Sequence, residues 1–261
     1  MRYSINVSTI FTEVPFLERF KKAKEAGFSH VECQFPYENT VEQIQEELRN
    51  HHLSLELINL PPGNWESGDR GLAVDPELVD EFKASLEIGL SYATALKVPK
   101  IHCMAGILPD HVDREVAKET YIQNVTYAGK KMDEHGITLL IEPINSFDMP
   151  GYFLSDLHEA IDILGKIELA NVMLQYDFYH IQRLHGNLIT NLQQYFDRIA
   201  HIQIADVPGR HQPGTGEIYY KNILQTLQRA NYQGFIGLEY TPKGKSEDSL
   251  IWIPQLEKGD H

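Results

Sequence analysis

Eight times along the chain, a short apolar run gives way to a stretch whose apolar residues recur at helical spacing. This rhythm constrains the fold more than any single motif does. Residues 2–8 alternate apolar and polar side chains as a first strand would. Phe16, Leu17, Phe20, Ala23 and Ala26 then recur at helical spacing, and Gly27 stands where a helix C-cap glycine belongs. Further strands are expected at 28–35, 53–60, 100–104, 137–142, 171–177, 199–204 and 235–239. Helices are expected at 40–50, 76–96, 114–134, 154–167, 188–196, 221–230 and 247–255. Asp75 and Pro76 open the second of these, as an N-cap acid and a first-turn proline do.

Strands alternating with helices, with no linker-like break, predict an α/β chain folded as one (β/α)8 TIM barrel domain over 1–261. An open doubly wound sheet would want a glycine-rich nucleotide loop after the first strand, and neither GxGxxG nor GxxxxGK[ST] occurs. The net charge of −14 argues against a nucleic-acid or anionic-membrane partner, because phosphate binding needs a positive footprint. It leaves room for a small anionic substrate held by local cations, and for a homo-oligomer. Cys33 and Cys103 belong to no CxxC pair, so they read as reduced, buried thiols of a cytoplasmic protein. No apolar run reaches membrane-spanning length, and the first residues lack the apolar core of a signal peptide.

The stretch LLIEPIN carries the chemistry outward. Its aliphatic run suits a strand buried on both faces, Pro143 helps stop the ladder, and Glu142 is left at the strand's carboxyl lip. A charge there needs a metal, a counter-ion or a substrate. The next three strands end at Asp177, Gln203 and Glu239, at intervals of 35, 26 and 36 residues, each one β-α unit long. Four consecutive strands thus bring oxygen-bearing side chains to the C-terminal face, where barrel enzymes keep their active sites. An all-oxygen cluster suits a hard divalent ion, Mg2+ or Mn2+, with Zn2+ a third choice. A carboxylate network paired with lysine and arginine is the structural alternative.

Other residues gather near the same rim. His102 belongs to the fourth strand, and His180 and His185 follow Asp177; each is a candidate to bind substrate, relay protons or orient a carboxylate, or else a packed polar residue. The loop 63–74 carries Trp65, Glu66, Asp69 and Arg70 and reads as a substrate lid or as plain surface. After the seventh strand, ADVPGRHQPGTGEI offers backbone N–H groups and Arg210 to a substrate carboxylate.

With these residues in view, the chain resembles the hydroxypyruvate isomerase family. That family lies within the xylose-isomerase-like barrels, which also include ketose 3-epimerases and endonuclease IV-type DNA repair enzymes. The likeness runs over nearly the whole chain, through FTEVPFLERF, NLPPGNW, DRGLA, LLIEPIN, LQYDFYH, HIQIADVPGRHQPGTGEI and GLEY. It implies a divalent ion bound by Glu142, Asp177, Gln203 and Glu239, with Glu142 and Glu239 also serving as the proton-transfer pair. It implies isomerisation of a small sugar acid, hydroxypyruvate to tartronate semialdehyde, with 2-oxo-tetronates as the neighbouring substrate class. Arg70, His102, His180, His185 and Arg210 are the expected substrate contacts. Family sequences often continue GxEYKP where this chain has Thr241, so no role passes to a lysine at that position. A ketose 3-epimerase, a nuclease and a non-catalytic sugar-acid binding protein are the competing readings.

Overall fold

The computed structural model describes residues 1–257. Its strands are β1 (Tyr3–Asn6), β2 (His30–Glu32), β3 (Ser54–Leu55), β4 (Ile58–Asn59), β5 (Lys100–His102), β6 (Thr138–Ile141), β7 (Val172–Asp177), β8 (Ile199–Ile204) and β9 (Ile236–Leu238). All pair in parallel in one sheet, in the order β3-β2-β1-β9-β8-β7-β6-β5-β4. The two ends of this order are successive pieces of the single strand expected at 53–60. Its Glu56 N–H donates to Val31 O and its Asn59 N–H to Gln34 O, both at 2.8 Å, while Leu60 N–H donates to His102 O at 2.8 Å. The same stretch therefore bonds to β2 on one side and β5 on the other, and the ring of eight strand positions meets there. The expected TIM barrel is the observed fold.

Around the ring stand α1 (Glu18–Glu25), α2 (Val41–His51), α3 (Val79–Leu96), α4 (Arg114–Asp133), α5 (Leu157–Ile167), α6 (Phe178–Leu184), α7 (Leu188–Gln194), α8 (Tyr220–Arg229) and α9 (Trp252–Glu257). Their starts follow local chemistry. Thr40 and Gln43 make a reciprocal capping box at α2, and Asp113 and Asp156 accept backbone N–H groups at the starts of α4 and α5. Asp75 caps a short 3-10 turn, Pro76–Leu78, that leads into α3. Gly27 closes α1 at φ +91°, a conformation that costs glycine little. The final helix expected at 247–255 is a 3-10 turn, Asp248–Leu250, followed by α9.

The helical segment after β7 is two helices, α6 and α7, where the sequence places helix at 188–196. The first, α6, follows β7 without a loop, because the Asp177 carboxylate accepts the Tyr179 N–H at 2.9 Å and caps the helix. The apolar core lies between strands and helices, with Ile5, Val31, Leu139, Ile141, Leu174, Ile202 and Leu238 buried in it. Alternate strand residues face the inside of the barrel, and these are largely polar: Ser4, Asn6, Glu32, Gln175, Asp177, His201, Gln203 and Glu239 are all buried. No helix among the described residues is long and apolar enough to cross a membrane.

Candidate active site

The carboxyl ends of the strands open into a cavity of about 370 Å³. Glu142, Gln203 and Glu239 line it, as do His102, His180, Arg70 and Arg210. Asp177 is fully buried in the wall, in reach of two cavity residues: His180 Nε2 and Arg210 Nη2 lie 3.7 Å and 3.4 Å from its Oδ2. Arg210 also stands 3.7 Å from Glu239 Oε1, so one guanidinium serves two acids from different strands.

Three buried carboxylates sharing one cation are short of positive charge. Burial pushes Glu142 well above the usual carboxylate range, and the nearby charges of Asp177 and Glu239 add to it. Burial likewise lifts Asp177 to about 6 and Glu239 to about 7, with Arg210 pulling both the other way. Glu142 Oε1 and Gln175 Oε1 are buried with no hydrogen-bond partner. Orphaned oxygens beside excess negative charge are a donor set for a hard divalent cation, so the residues fit the ion that the sequence implies.

His102 and His180 are held neutral. Burial drives His102 down to about 3, with His201 adding to it, and burial followed by Arg210 puts His180 well below its ordinary value. The tautomer of His180 follows from its neighbour Asn145. Asn145 Oδ1 accepts the N–H groups of Phe147 and Asp148, which turns its amide N–H toward His180 Nδ1 at 2.7 Å. Nδ1 is therefore the acceptor, and Nε2 carries the proton toward Asp177. Ligand atoms of Glu142, Asp177 and His180 do lie within 4.8 Å of one another. That proton makes His180 a donor rather than a metal ligand.

His185 lies elsewhere. Expected as a substrate contact, it does not line the cavity; its Nε2 accepts the Leu157 N–H at 3.1 Å and lies 3.3 Å from Asp156 Oδ2, at the start of α5 in the helical layer. The intervening helix α6 carries it away from the rim. The glycine-rich loop after β8 also behaves differently from expectation. The N–H groups of Gly214 and Gly216 go to Asp206 Oδ2, both at 2.9 Å, and that of Ile218 to Asp206 Oδ1 at 3.0 Å, leaving Arg210 as the loop's cationic contribution to the cavity. The turn needs glycine at 216, where a Cβ would lie 1.9 Å from Val207 O. Thr241 serves through its backbone, its N–H donating to Arg210 O at 2.8 Å, which leaves its side chain free to vary. In the loop 63–74, Arg70 lies 3.8 Å over the Trp65 ring, and both line the cavity.

Sequence reasoning missed the layer beneath. Gln34 donates to Glu239 Oε1. Glu32, fully buried, receives Ser4 Oγ at 2.8 Å, His201 Nε2 at 2.9 Å and Gln203 Nε2 at 2.8 Å. Burial works against its charge, but His201, Gln203 and Ser4 together hold it below the usual carboxylate range. The signal was present as polar residues at every second position of the strands.

This is a barrel with an acidic, substrate-sized cavity at its catalytic face. The profile of the Xylose isomerase-like TIM barrel family matches residues 20–256, and the chain belongs to that family. It is 41% identical to a 2-oxo-tetronate isomerase of Pectobacterium atrosepticum, over 98% of each chain. It is 39% identical to the hydroxypyruvate isomerase of Escherichia coli, over 97% of this chain and 98% of that one. Within the family the chain thus falls among the isomerases. A crystal structure from Brucella melitensis, named AP endonuclease, family 2, superposes with a TM-score of 0.95 at 42% identity, covering 97% of this chain and 98% of that one.

Proposed function

We propose that the protein isomerises a small 2-oxo acid bearing a 3-hydroxyl group, hydroxypyruvate to tartronate semialdehyde, by proton transfer between adjacent carbons. The observation that carries this reading is the pair Glu142 and Glu239, buried acids from β6 and β9 that face one cavity with raised proton affinity. Glu142, Asp177, Gln203 and Glu239 would hold a divalent cation, Mg2+ or Mn2+, which when bound supplies Lewis-acid polarisation of the substrate carbonyl. One glutamate removes a proton from the carbon beside the carbonyl, giving an enediolate, and the other delivers a proton to the neighbouring carbon. A base with a pKa near the working pH does this best; in the metal-free protein burial raises Glu239 to about 7, and a bound cation draws it down from there. His180, neutral with its proton on Nε2, donates to a substrate oxygen without competing as a base. Arg70 and Arg210 are the cavity cations available to a carboxylate.

A 2-oxo-tetronate is the second reading, favoured by the relative at 41% identity. It needs the same proton transfer on a chain one carbon longer. The nuclease suggested by the name of the Brucella melitensis structure fits less well. A chain of net charge −14, with Glu142, Asp148 and Glu239 lining a cavity of about 370 Å³, repels a polyanionic duplex. Cys33 and Cys103, both free and buried, suit a reducing compartment such as the cytoplasm. The test is to offer hydroxypyruvate, 2-oxo-tetronates and ketoses to the Mn2+-loaded protein and identify products by NMR. Movement of the carbonyl supports the proposal, inversion at a hydroxyl carbon would make the protein an epimerase, and no turnover of any of them would leave a binding protein.

A further inference from the structure

Gln203 can offer a cation its amide oxygen but not its amide nitrogen, and the two ends of an amide have the same shape. Something must decide which end faces the cavity. Gln203 Oε1 accepts from Gln175 Nε2 at 2.7 Å, but Gln175 is itself an amide and could turn over in concert. Glu32 is different. It is surrounded by donors: Ser4 Oγ at 2.8 Å, His201 Nε2 at 2.9 Å, and Asn6 Nδ2 at 3.4 Å. The Asn6 amide is fixed independently, because its Oδ1 accepts the Ser8 N–H at 2.9 Å. A carboxylate so placed has only acceptors to give, so the Gln203 end that meets it at 2.8 Å must be the NH2. The carboxylate has room inside the barrel because residue 237 on β9 is glycine; a Cβ there would lie 2.5 Å from Glu32 Oε1.

We infer that Glu32 is a positioning residue that turns the Gln203 amide oxygen toward the cation site and so sets the metal affinity without touching metal or substrate. The inference rests on the metal reading above and adds a residue outside the ligand set. Glu32→Gln keeps the shape but offers both ends of an amide, so the orientation of Gln203 is no longer dictated. Glu32→Asp keeps the charge and draws the carboxylate back by one methylene. Combining Glu32→Gln with Gln203→Glu puts an oxygen at both ends of residue 203, where orientation no longer matters.

The experiment is a titration of metal-stripped protein with Mn2+, read calorimetrically, with a thermal melt of each variant alongside. Glu32→Gln and Glu32→Asp should each weaken Mn2+ binding about 10–100-fold. The double variant should recover wild-type affinity or better. The inference is overturned if Glu32→Asp stays within about threefold of wild type, since charge alone would then account for Glu32, or if a folded double variant fails to recover. If Glu32→Gln does not melt cooperatively, Glu32→Asp decides alone. Wild-type protein that binds no Mn2+ would overturn the metal reading together with this one, whereas normal wild-type binding with indifferent variants would overturn only the role of Glu32.

Discussion

The two ends of this barrel treat polar side chains in opposite ways. At the N-terminal end they pair off. His30 Nδ1 lies 2.7 Å from Glu56 Oε1, and Arg2 covers the Phe235 ring at 3.9 Å while donating to Gln233 O at 2.9 Å. At the C-terminal end, Glu142, Asp177 and Glu239 are buried around one arginine, and Glu142 Oε1, Gln175 Oε1 and His102 Nε2 lack hydrogen-bond partners. The same strands run between both ends, so the contrast is not a matter of scaffold. Satisfied groups stabilise a fold, whereas unsatisfied buried groups cost stability; where they cluster beside excess negative charge, as Glu142 Oε1 and Gln175 Oε1 do, they suit a ligand.

Breaking the contrast at the catalytic end should have the largest effect. Glu142→Gln and Glu239→Gln should each lower kcat by about 10³-fold, within the range typical of a lost acid-base group, without lowering the melting temperature. Near-normal turnover in either variant would refute the two-glutamate assignment. Next in size is the cation. Removing divalent ions with a chelator should cost about 10²-fold or more in rate, and Mn2+ or Mg2+ should restore it. Activity that persists in protein shown by elemental analysis to be metal-free would contradict this.

A smaller effect concerns stability and pH. Burial lifts Glu239 to about 7 from an ordinary 4.5, so the folded, metal-free protein holds a proton that the unfolded chain releases. The stabilisation from that proton is fully present below about pH 4.5 and is lost as pH rises through about 7. Glu239→Gln removes this titration. In differential scanning calorimetry, its melting temperature relative to wild type should rise by several degrees between pH 5 and pH 8, at about 2–4 °C per kcal/mol. Parallel pH curves would count against the raised proton affinity. Smallest is a change at the opposite end: His30→Ala should lower stability by about 1 kcal/mol or less and leave kcat/KM unchanged. An activity loss there would show that the two ends are not separable in function.

The barrel was legible because its strands and helices differ in period, and the intervals between strand ends placed Glu142, Asp177, Gln203 and Glu239 on one face. What escaped depended on direction and on single caps. His185 was assigned to the rim by its nearness to Asp177 in the chain, but the Asp177 cap starts a helix that keeps His180 at the cavity and sets His185 at its far end. The glycine N–H groups after β8 looked free for substrate, although Asp206, four residues before Arg210, was their partner. Glu32 and Gln34 were read simply as members of a strand. Their alternation with Val31 and Cys33, matched by Ser4 with Asn6, Gln175 with Asp177, and His201 with Gln203, is the period of an inward face. Four such patterns together signal a polar barrel interior.

In the proposed mechanism two different carboxylates handle the proton, one removing it and the other returning it. The direct measurement is turnover of hydroxypyruvate in D2O by the Mn2+-loaded protein, with deuterium at C2 of the product followed by NMR. Near-complete incorporation at C2, abolished by Glu142→Gln or Glu239→Gln, is expected. Full conversion with hydrogen carried from C3 to C2 and no solvent deuterium would contradict it, since hydride transfer needs neither glutamate as a base.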